Sequence, residues 1–229
     1  MIANKKIFFT GGGLLVCFLA VLFVMFMPIF GNGQNALNYL DNLYNSISKG
    51  SAYYIPDLKA ENDAYLGREI DVTFRFGAPS QGENTATLFR KAGAAAEIRD
   101  DAINVRGDLG RILAAGLDTA NLMFHNNGDT VSAIYGYDAR QALYNWWTAL
   151  KGMEKDLTKQ KHFEEAKFVA SVKAKAVECA YNYYGIMPQQ IGDKALIVVF
   201  SLAFYVLYTL WFGYSIMYLF QGWGMDLEH

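Results

Sequence analysis

Histidine and cysteine, the residues that most often bind metals or act as nucleophiles, are rare in this chain of 229 residues. Apart from the terminal His229, the histidines are His125 and His162, and the cysteines are Cys17 and Cys179. A zinc site needs three or four ligands at recognisable spacing, and covalent haem attachment needs a C-x-x-C-H motif. Neither pattern occurs, so we expect no metal and no cofactor. His125 ends a helical pattern and is expected to cap carbonyl groups there.

Acid–base and nucleophilic chemistry have little support in the sequence either. The G-x-S-x-G motif of serine hydrolases is absent. Adjacent carboxylates occur at positions 100–101 and 164–165, but neighbours in a strand or helix point to different faces and do not form an acid–base pair. Asp108, which follows a strand-like segment, is expected to open a helix as its N-cap. We therefore expect a protein that is not an enzyme.

Two long uncharged segments are the strongest signal in the sequence. The first is IFFTGGGLLVCFLAVLFVMFMPIF, residues 7–30, and the second lies within 195–224. At 1.5 Å per residue the first would be roughly 36 Å long, and about 20 apolar residues suffice to cross the bilayer hydrocarbon. Both are predicted to be transmembrane helices, over 7–30 and 195–221. A cleaved signal peptide is the alternative for the first, but its apolar stretch exceeds the usual ~7–15 residues.

The charges beside these segments predict the orientation of the chain. Lys5 and Lys6 precede the first span, and no Lys or Arg follows the second. Because cytoplasmic flanks are enriched in positive charge, both termini are expected in the cytoplasm, at a bacterial inner membrane. The predicted segments outside the spans are a cytoplasmic N-terminus 1–6, a periplasmic domain 31–194 and a short cytoplasmic tail 222–229.

This layout also limits the partners that we expect. They are the lipid bilayer and either the chain itself, in a homo-oligomer, or other subunits of a membrane complex. The net charge is only -2, and a weakly charged chain gives no electrostatic reason to expect nucleic acid.

Alternating apolar residues predict strands in the domain. The clearest run is EIDVTFRF, 69–76, whose apolar face carries Ile70, Val72, Phe74 and Phe76. EIRDDAINVRG, 97–107, is a weaker strand, and TVSAIYGY, 130–137, alternates again. We therefore expect a small sheet of about three strands covered by helices, in an α+β or α/β domain flanked by two transmembrane helices.

Helical spacing dominates the rest of the domain. QNALNYLDNLYNSIS, 34–48, predicts an amphipathic helix near the membrane. The next segment, 48–67, contains turn residues and Pro56 and is therefore predicted to be a loop. A long helix is predicted over about 139–184, either straight or with a bend at Gly152.

Trp146 and Trp147 are neighbours in that long helix and therefore point about 100° apart. One is expected in the core and the other nearer the surface, where tryptophan is enriched in protein interfaces. Core packing with partial burial is the favoured interpretation, and a partner anchor at Trp146 or Trp147 is the alternative.

Three glycines near the cytoplasmic end of the first span lie at the same predicted depth as the bulky stretch WFGYSIMYLF of the second. Small residues let a neighbouring backbone or ring approach closely, which is how helices associate in lipid. We expect Trp211, Tyr214 or Tyr218 to pack over them, within one chain or between subunits. Replacing the middle glycine by leucine should then weaken the assembly. The glycines are Gly11, Gly12 and Gly13.

Polar and aromatic residues of the second span recur at a spacing of four, three, four and three, which is that of a coiled-coil seam. Ordinary helix packing, an inter-subunit seam, a quinone or lipid contact and a pore lining all fit this pattern. Since neither span contains a charge, an ion or proton path is not favoured. The residues are Ser201, Tyr205, Tyr208, Phe212 and Ser215.

These observations favour a non-enzymatic two-span inner-membrane protein that acts in assembly, as a homo-oligomer or as an accessory subunit of a membrane complex. The alternatives are a periplasmic sensor or ligand-binding module that signals through a partner, and an oligomeric pore. The two-span layout with its long helix resembles that of bacterial polysaccharide chain-length regulators, although their proline-rich approach to the second span is missing and only Pro188 occurs there. The resemblance concerns topology and implies no specific activity.

Overall fold

The computed structural model describes residues 2–75 and 81–225. The chain forms two compact units, one of Met1–Ile47 with Pro188–His229 and one of Ser48–Met187. Residues 31–47 and 188–194, which the sequence groups with the domain, thus belong to the first unit. The helices are α1 Lys5–Phe26, α2 Ala36–Ser51, α3 Ile55–Asn62, α4 Gly82–Lys91, α5 Leu109–Phe124, α6 Gly128–Tyr135, α7 Ala139–Lys159, α8 Phe163–Val172, α9 Cys179–Tyr183 and α10 Ile191–Trp223. The strands are β1 Glu69–Arg75, β2 Ala95–Arg99 and β3 Ala102–Asp108.

In the first unit, α1 and α10 are long and apolar enough to cross a membrane, with mean hydropathies of 2.5 and 2.2 in their most apolar stretches. Contacts at two levels show that the helices are antiparallel. The Asn4 amide at the start of α1 donates to the Gly222 carbonyl at the end of α10 at 2.9 Å. Further along α1, Phe18 stacks on Tyr208, which lies earlier in α10. α10 begins earlier than the predicted residue 195. Its first turn contains Asp193, and a carboxylate there is favoured by the helix dipole.

The second unit contains an antiparallel sheet in the order β1-β3-β2. The predicted strand at 69–76 is β1, with Val72 and Phe74 buried, while Phe76 lies outside the described residues. The segment 97–107, predicted as one strand, instead contributes to two strands of a hairpin. The chain reverses at Asp100, which has a φ of 53°, a left-handed conformation that aspartate tolerates in tight turns. The antiparallel sheet makes this unit α+β and not α/β.

The third predicted strand, 130–137, is wrong, because most of it lies in α6. Val131 and Tyr135 are buried, whereas Ala133 between them is exposed. Two buried residues four positions apart fit one face of a helix as well as alternate positions of a strand. The sequence pattern therefore did not distinguish the two structures.

The loop predicted over 48–67 is also wrong, since α3 occupies Ile55–Asn62. Pro56 lies in the first turn of this helix, where its missing N–H has no intrahelical acceptor in any case. Ile55 and Leu58 are buried and attach the helix to the core.

The long helix predicted over about 139–184 is interrupted, but not at Gly152. α7 continues through Gly152 and ends at Lys159, and a left-handed Lys161, with a φ of 66°, separates it from α8. A π-helix, Lys173–Glu178, then connects α8 to α9. Gly152 serves close packing: a Cβ there would lie 2.5 Å from Cβ of Phe74.

Helix α7 also covers the outer edge of β1. The Thr73 amide donates to the Asp156 carboxylate at 3.0 Å, and the Gln160 side chain donates to the Asp71 carbonyl at 2.8 Å. An exposed strand edge is a template for unwanted pairing. These two side chains occupy hydrogen-bonding groups that another strand would use.

Candidate functional site: the paired apolar helices

One face of α10 packs against α1 along a seam with alternating spacings of three and four residues. The seam residues are buried or half-buried, whereas most of the residues between them are exposed. This is the spacing by which two helices keep one face in contact over many turns. The seam consists of Ser201, Phe204, Tyr208, Trp211, Ser215, Tyr218 and Gly222.

The two backbones approach most closely at glycines. A Cβ on Gly11 would lie 2.7 Å from the Leu219 amide nitrogen and 2.9 Å from the Ser215 carbonyl oxygen. A Cβ on Gly222 would lie 2.5 Å from Cα of Phe8. Neither position can accept a side chain without separation of the helices, so these glycines permit the pairing.

Only one of the three glycines singled out in the sequence has this role. At Gly12 a Cβ would meet a single atom, Cδ2 of Leu219 at 4.0 Å, and at Gly13 it would meet nothing within 4 Å among the described residues. Tyr218, one of the three rings expected over the glycines, packs at Gly11, where a Cβ on the glycine would lie 2.9 Å from Cβ of the tyrosine. The substitution that tests the close approach is therefore at Gly11 and not at Gly12.

The other two rings lie elsewhere. Trp211 packs one turn further along α1, where its indole N–H donates to the Leu14 carbonyl at 3.1 Å. Tyr214 is 52% exposed and its ring faces Tyr218 at 6.4 Å. Phe18 fills the middle of the pair, with its centroid 4.2 Å from that of Tyr208.

The seam predicted from sequence shares three of its five residues with the observed one. Ser201, Tyr208 and Ser215 lie on it. Phe212 is 45% exposed but borders the seam, with its ring centroid 5.0 Å from that of Phe18, and Tyr205 is 69% exposed. The observed seam uses the preceding residue in each case. Positions 204 and 205 are both aromatic, and so are positions 211 and 212. Residue type therefore did not show which member of each pair lies on the seam.

The two serine hydroxyls of this seam are bonded within the chain. Ser215 donates to the Trp211 carbonyl at 2.7 Å, and Ser201 donates to the Val198 carbonyl at 2.8 Å. The Ser201 hydroxyl is also 2.6 Å from the Tyr44 hydroxyl on α2. Serine in an apolar helix commonly satisfies itself by bonding to a carbonyl of the preceding turn. The hydroxyls therefore need no water-filled pore to explain them.

An apolar cavity of about 320 Å³ lies between α1, α2 and α10, all within the first unit. Val21 and Met25 of α1, Leu40 of α2, and Phe200 and Phe204 of α10 are among its lining residues. Its walls are suited to a hydrocarbon chain and not to a charged head group, because an unpaired charge is strongly disfavoured in apolar surroundings.

Of the two tryptophans proposed as partner anchors, one is in the core of the second unit. Trp146 is fully buried, packs on Gly116 and donates from its indole to the Tyr135 hydroxyl at 3.3 Å. Trp147 is half-buried and donates to the Glu178 carboxylate at 3.0 Å. Only Trp147 is placed where a partner could reach it.

Sequence reasoning missed Lys49, which is 1% exposed. Its ammonium donates to the carbonyls of Tyr183 and Ile186 and to the Asn126 side chain, at 3.0, 2.6 and 3.2 Å. It also lies 5.1 Å from the ring centroid of Phe124. These partners are at or just beyond the carboxyl ends of α5 and α9, where helix dipoles favour a cation. No local signal identifies them, because they are distant in sequence.

Burial lowers the pKa of Lys49, although the neighbouring Cys179 opposes this effect. Burial also raises the pKa of Cys179, against the influence of Lys49. The Cys179 thiol donates to the Ala52 carbonyl at 3.3 Å. A thiol with a raised pKa is a poor nucleophile.

The histidines are not brought into a metal site. The His125 ring is 2.9 Å from the Asn121 carbonyl at the end of α5, as a helix cap requires, and His162 lies 3.9 Å from Glu165. Over residues 2–75 and 81–225, no group of three or more His, Cys, Asp or Glu side chains could hold a metal ion.

No protein-family model matches the chain, and comparisons with curated proteins and with solved structures gave no match. Function therefore has to be inferred from the residues and their contacts.

Proposed function

We propose that this chain is a non-enzymatic, two-span protein of a bacterial inner membrane that acts in assembly, as a homo-oligomer or as an accessory subunit of a membrane complex. In this proposal α1 and α10 cross the membrane, Lys5 and Lys6 keep the amino terminus in the cytoplasm, and the second unit is periplasmic. The apolar stretches of the two helices have 11% and 0% of their residues buried. Core helices of a soluble protein would be mostly buried, so this exposure supports a membrane environment.

The observation that carries the assembly role is that α1 leaves aromatic residues of α10 uncovered on both sides of the seam. Tyr205 and Tyr214 lie outside the seam and are 69% and 52% exposed. In the described part of the chain, neither phenol hydroxyl has a hydrogen-bond partner. A polar group facing hydrocarbon is satisfied by another helix or at the headgroup level. Because the two tyrosines are nine positions apart on α10, they point about 180° apart. A neighbouring helix beside Tyr205 would satisfy its hydroxyl and cover the surrounding apolar surface, and Tyr214 would need a second neighbour.

Cysteine cross-linking in native membranes tests this role. In a Cys17→Ser, Cys179→Ser background, Tyr205→Cys carrying a short thiol-reactive photo-cross-linker should form cross-links with a second copy or with another subunit, because the photoreactive end needs no cysteine on the partner. Ser215→Cys is the matched control, because Ser215 is fully buried between α1 and α10 and should not cross-link between chains. The native mass after extraction in a gentle detergent then gives the composition.

The outcomes separate the two forms of the proposal. A mass that is a multiple of one chain supports a homo-oligomer, whereas a defined foreign subunit supports an accessory role. A single chain per detergent micelle, without Tyr205→Cys cross-links in membranes, would contradict both.

A further inference from the structure

The outer face of α7 carries a row of lysines opposite its buried face. Lys151, Lys155 and Lys159 are exposed, whereas Trp146 and Met153 on the other side are fully buried. Successive lysines are about 6 Å apart along the helix axis. In the described residues, none of the three takes part in an ion pair. We call these three residues the lysine row.

The lysine row lines an open groove of about 610 Å³, whose other wall includes Thr73 to Arg75 of β1. Among the described lining residues, Asp156 is the one carboxylate, and it accepts hydrogen bonds from the Thr73 amide and the Gln160 side chain, each at 3.0 Å. Arg75 is paired with Asp101 at 3.2 Å. Because the acids near the groove are bonded to other donors, the lysine row leaves an excess of positive charge there.

An aromatic cluster of Tyr144, Trp147 and Tyr181 adjoins the lysine row. Together with Glu178 it surrounds a smaller cavity of about 230 Å³, and Tyr144 and Tyr181 are 41% and 39% exposed. The Lys151 ammonium lies 4.9 Å from the ring centroid of Trp147 and so connects the two features. The bond from Trp147 to Glu178 holds the indole in place. Fixed, half-exposed aromatic rings are typical anchor points of protein interfaces.

We propose that the aromatic cluster and the lysine row together bind an acidic, extended segment of a partner protein. In an extended chain every second side chain lies on the same side, about 6.6 Å apart, which is close to the spacing of the lysine row. Acidic residues at alternate positions would each meet one lysine. A large apolar side chain at the end of the segment would enter the cavity beside Trp147.

The surroundings favour recognition through side chains and not through strand pairing. Asp156 and Gln160 already occupy backbone groups on the outer edge of β1, so an added strand has fewer free partners there. The inference rests on the proposed assembly role, because it states the chemistry of a partner that the second unit would hold.

The probe that tests this inference is a fluorescent peptide, Phe-Ser-Glu-Ser-Glu-Ser-Glu-Ser-Phe, added to the full chain in phosphatidylcholine nanodiscs. A phenylalanine at each end allows either direction along α7. We expect saturable binding by fluorescence anisotropy. Lys151→Gln combined with Lys155→Gln should weaken it at least about tenfold, because a hydrogen bond to a charged group contributes roughly that factor. Replacing both phenylalanines of the peptide by alanine should weaken it by a similar factor.

The matched control is Lys91→Gln combined with Lys167→Gln, which changes the net charge equally. Both lysines are exposed and lie outside the groove and the aromatic cluster. This variant should bind the peptide within about twofold of the original chain.

Three results would overturn the inference: no saturation at millimolar peptide, equal loss in the control variant, or tighter binding of a single-stranded oligonucleotide or of phosphatidylglycerol vesicles than of the peptide. The native mass of the same samples keeps the two proposals apart. A chain that assembles but ignores the peptide contradicts only the peptide site, whereas a chain that stays single contradicts the assembly role.

Discussion

In the first unit Gly11 and Gly222 bring two helix backbones together, whereas in the second unit Gly152 brings a helix backbone against the side chain of Phe74. The hydrogen bonds of two buried polar side chains, one in each unit, also differ. Ser215 bonds to a carbonyl of its own helix, but Lys49 joins residues more than one hundred positions away. Each helix of the pair can thus be identified from its own sequence, whereas the pairing, as in the bond from Trp211 to the Leu14 carbonyl, and the packing of the second unit both depend on contacts between distant segments.

The comparison can be tested region by region with hydrogen exchange, because amide protection in β3 and in α10 reports on the two units separately. Each destabilising substitution should lower protection in its own unit. A substitution that lowered protection equally in both would break the distinction between them.

The largest effect is expected for Trp146→Ala in the second unit. Trp146 is fully buried against Phe89 and Gly116, and truncation of a buried tryptophan costs about 3–5 kcal/mol. Exchange from β3 should accelerate by roughly two to four orders of magnitude where it proceeds by global opening. Trp147→Ala, one residue away and half-buried, is the control and should cost about 1 kcal/mol. Equal losses for the two variants would contradict the assigned core position.

Gly11→Leu should have the next largest effect, and it concerns the helix pair. The new side chain would overlap the backbone of α10, and overpacking of this kind costs about 3 kcal/mol. Short thiol cross-links between Gly12→Cys and Leu219→Cys, in the background lacking native cysteines, measure the pairing and should largely disappear.

Gly13→Leu is the control for this substitution, because nothing among the described residues lies within 4 Å of that position. It should leave the Gly12–Leu219 cross-link intact. Retained cross-linking in Gly11→Leu would mean that the close approach of α1 and α10 is wrong.

Lys49→Met should destabilise the second unit by about 2 kcal/mol, because it removes charge-assisted hydrogen bonds while it nearly conserves volume. The loss is moderate since the Tyr183 carbonyl and the Asn126 side chain keep other donors, the amides of Ile186 and Gly185. The loss is measured by denaturing the full chain in detergent and following the hydrogen-exchange protection of the α5 amides. Lys59→Met, which removes an exposed ion pair with Asp118, should cost under about 1 kcal/mol. A larger cost at Lys59 would reverse the ranking of buried and exposed lysines.

The same contrast explains what the sequence could and could not predict. α1 and α10 were identifiable because an uncharged apolar run is a local property, and β1 because its alternation is local as well. The segment 130–137 was ambiguous because two apolar residues four apart fit either structure. Pro56 concealed α3, since a proline marks a helix start as readily as a break.

The same limit applies to the helix pair and to Lys49, because their contacts join distant parts of the chain. Glycines in one span and bulky aromatic residues in the other predicted that the two helices pack together. Which of the three glycines lies at the contact depends on how each helix is rotated about its axis. Adjacent aromatic residues fit more than one rotation, so the sequence did not select Gly11. The partners of Lys49 come from two distant segments, around Asn126 and around Tyr183. The residues around position 49 therefore do not predict that helix ends converge there or that the ammonium is buried.

The smallest predicted effect is a dependence of stability on pH, and it concerns only the second unit. Burial lowers the pKa of Lys49 from its usual 10.5. Between the lowered value and 10.5 the unfolded chain binds a proton that the folded chain releases, so this group makes the free energy of unfolding rise with pH. Cys179 acts in the opposite direction, because its pKa is raised above 9.0 by burial. In a Cys179→Ser background, the stability difference between the Lys49 chain and Lys49→Met should therefore increase as pH approaches 10.5. A decrease would mean that the three oxygen acceptors and the helix ends favour the ammonium more than burial disfavours it.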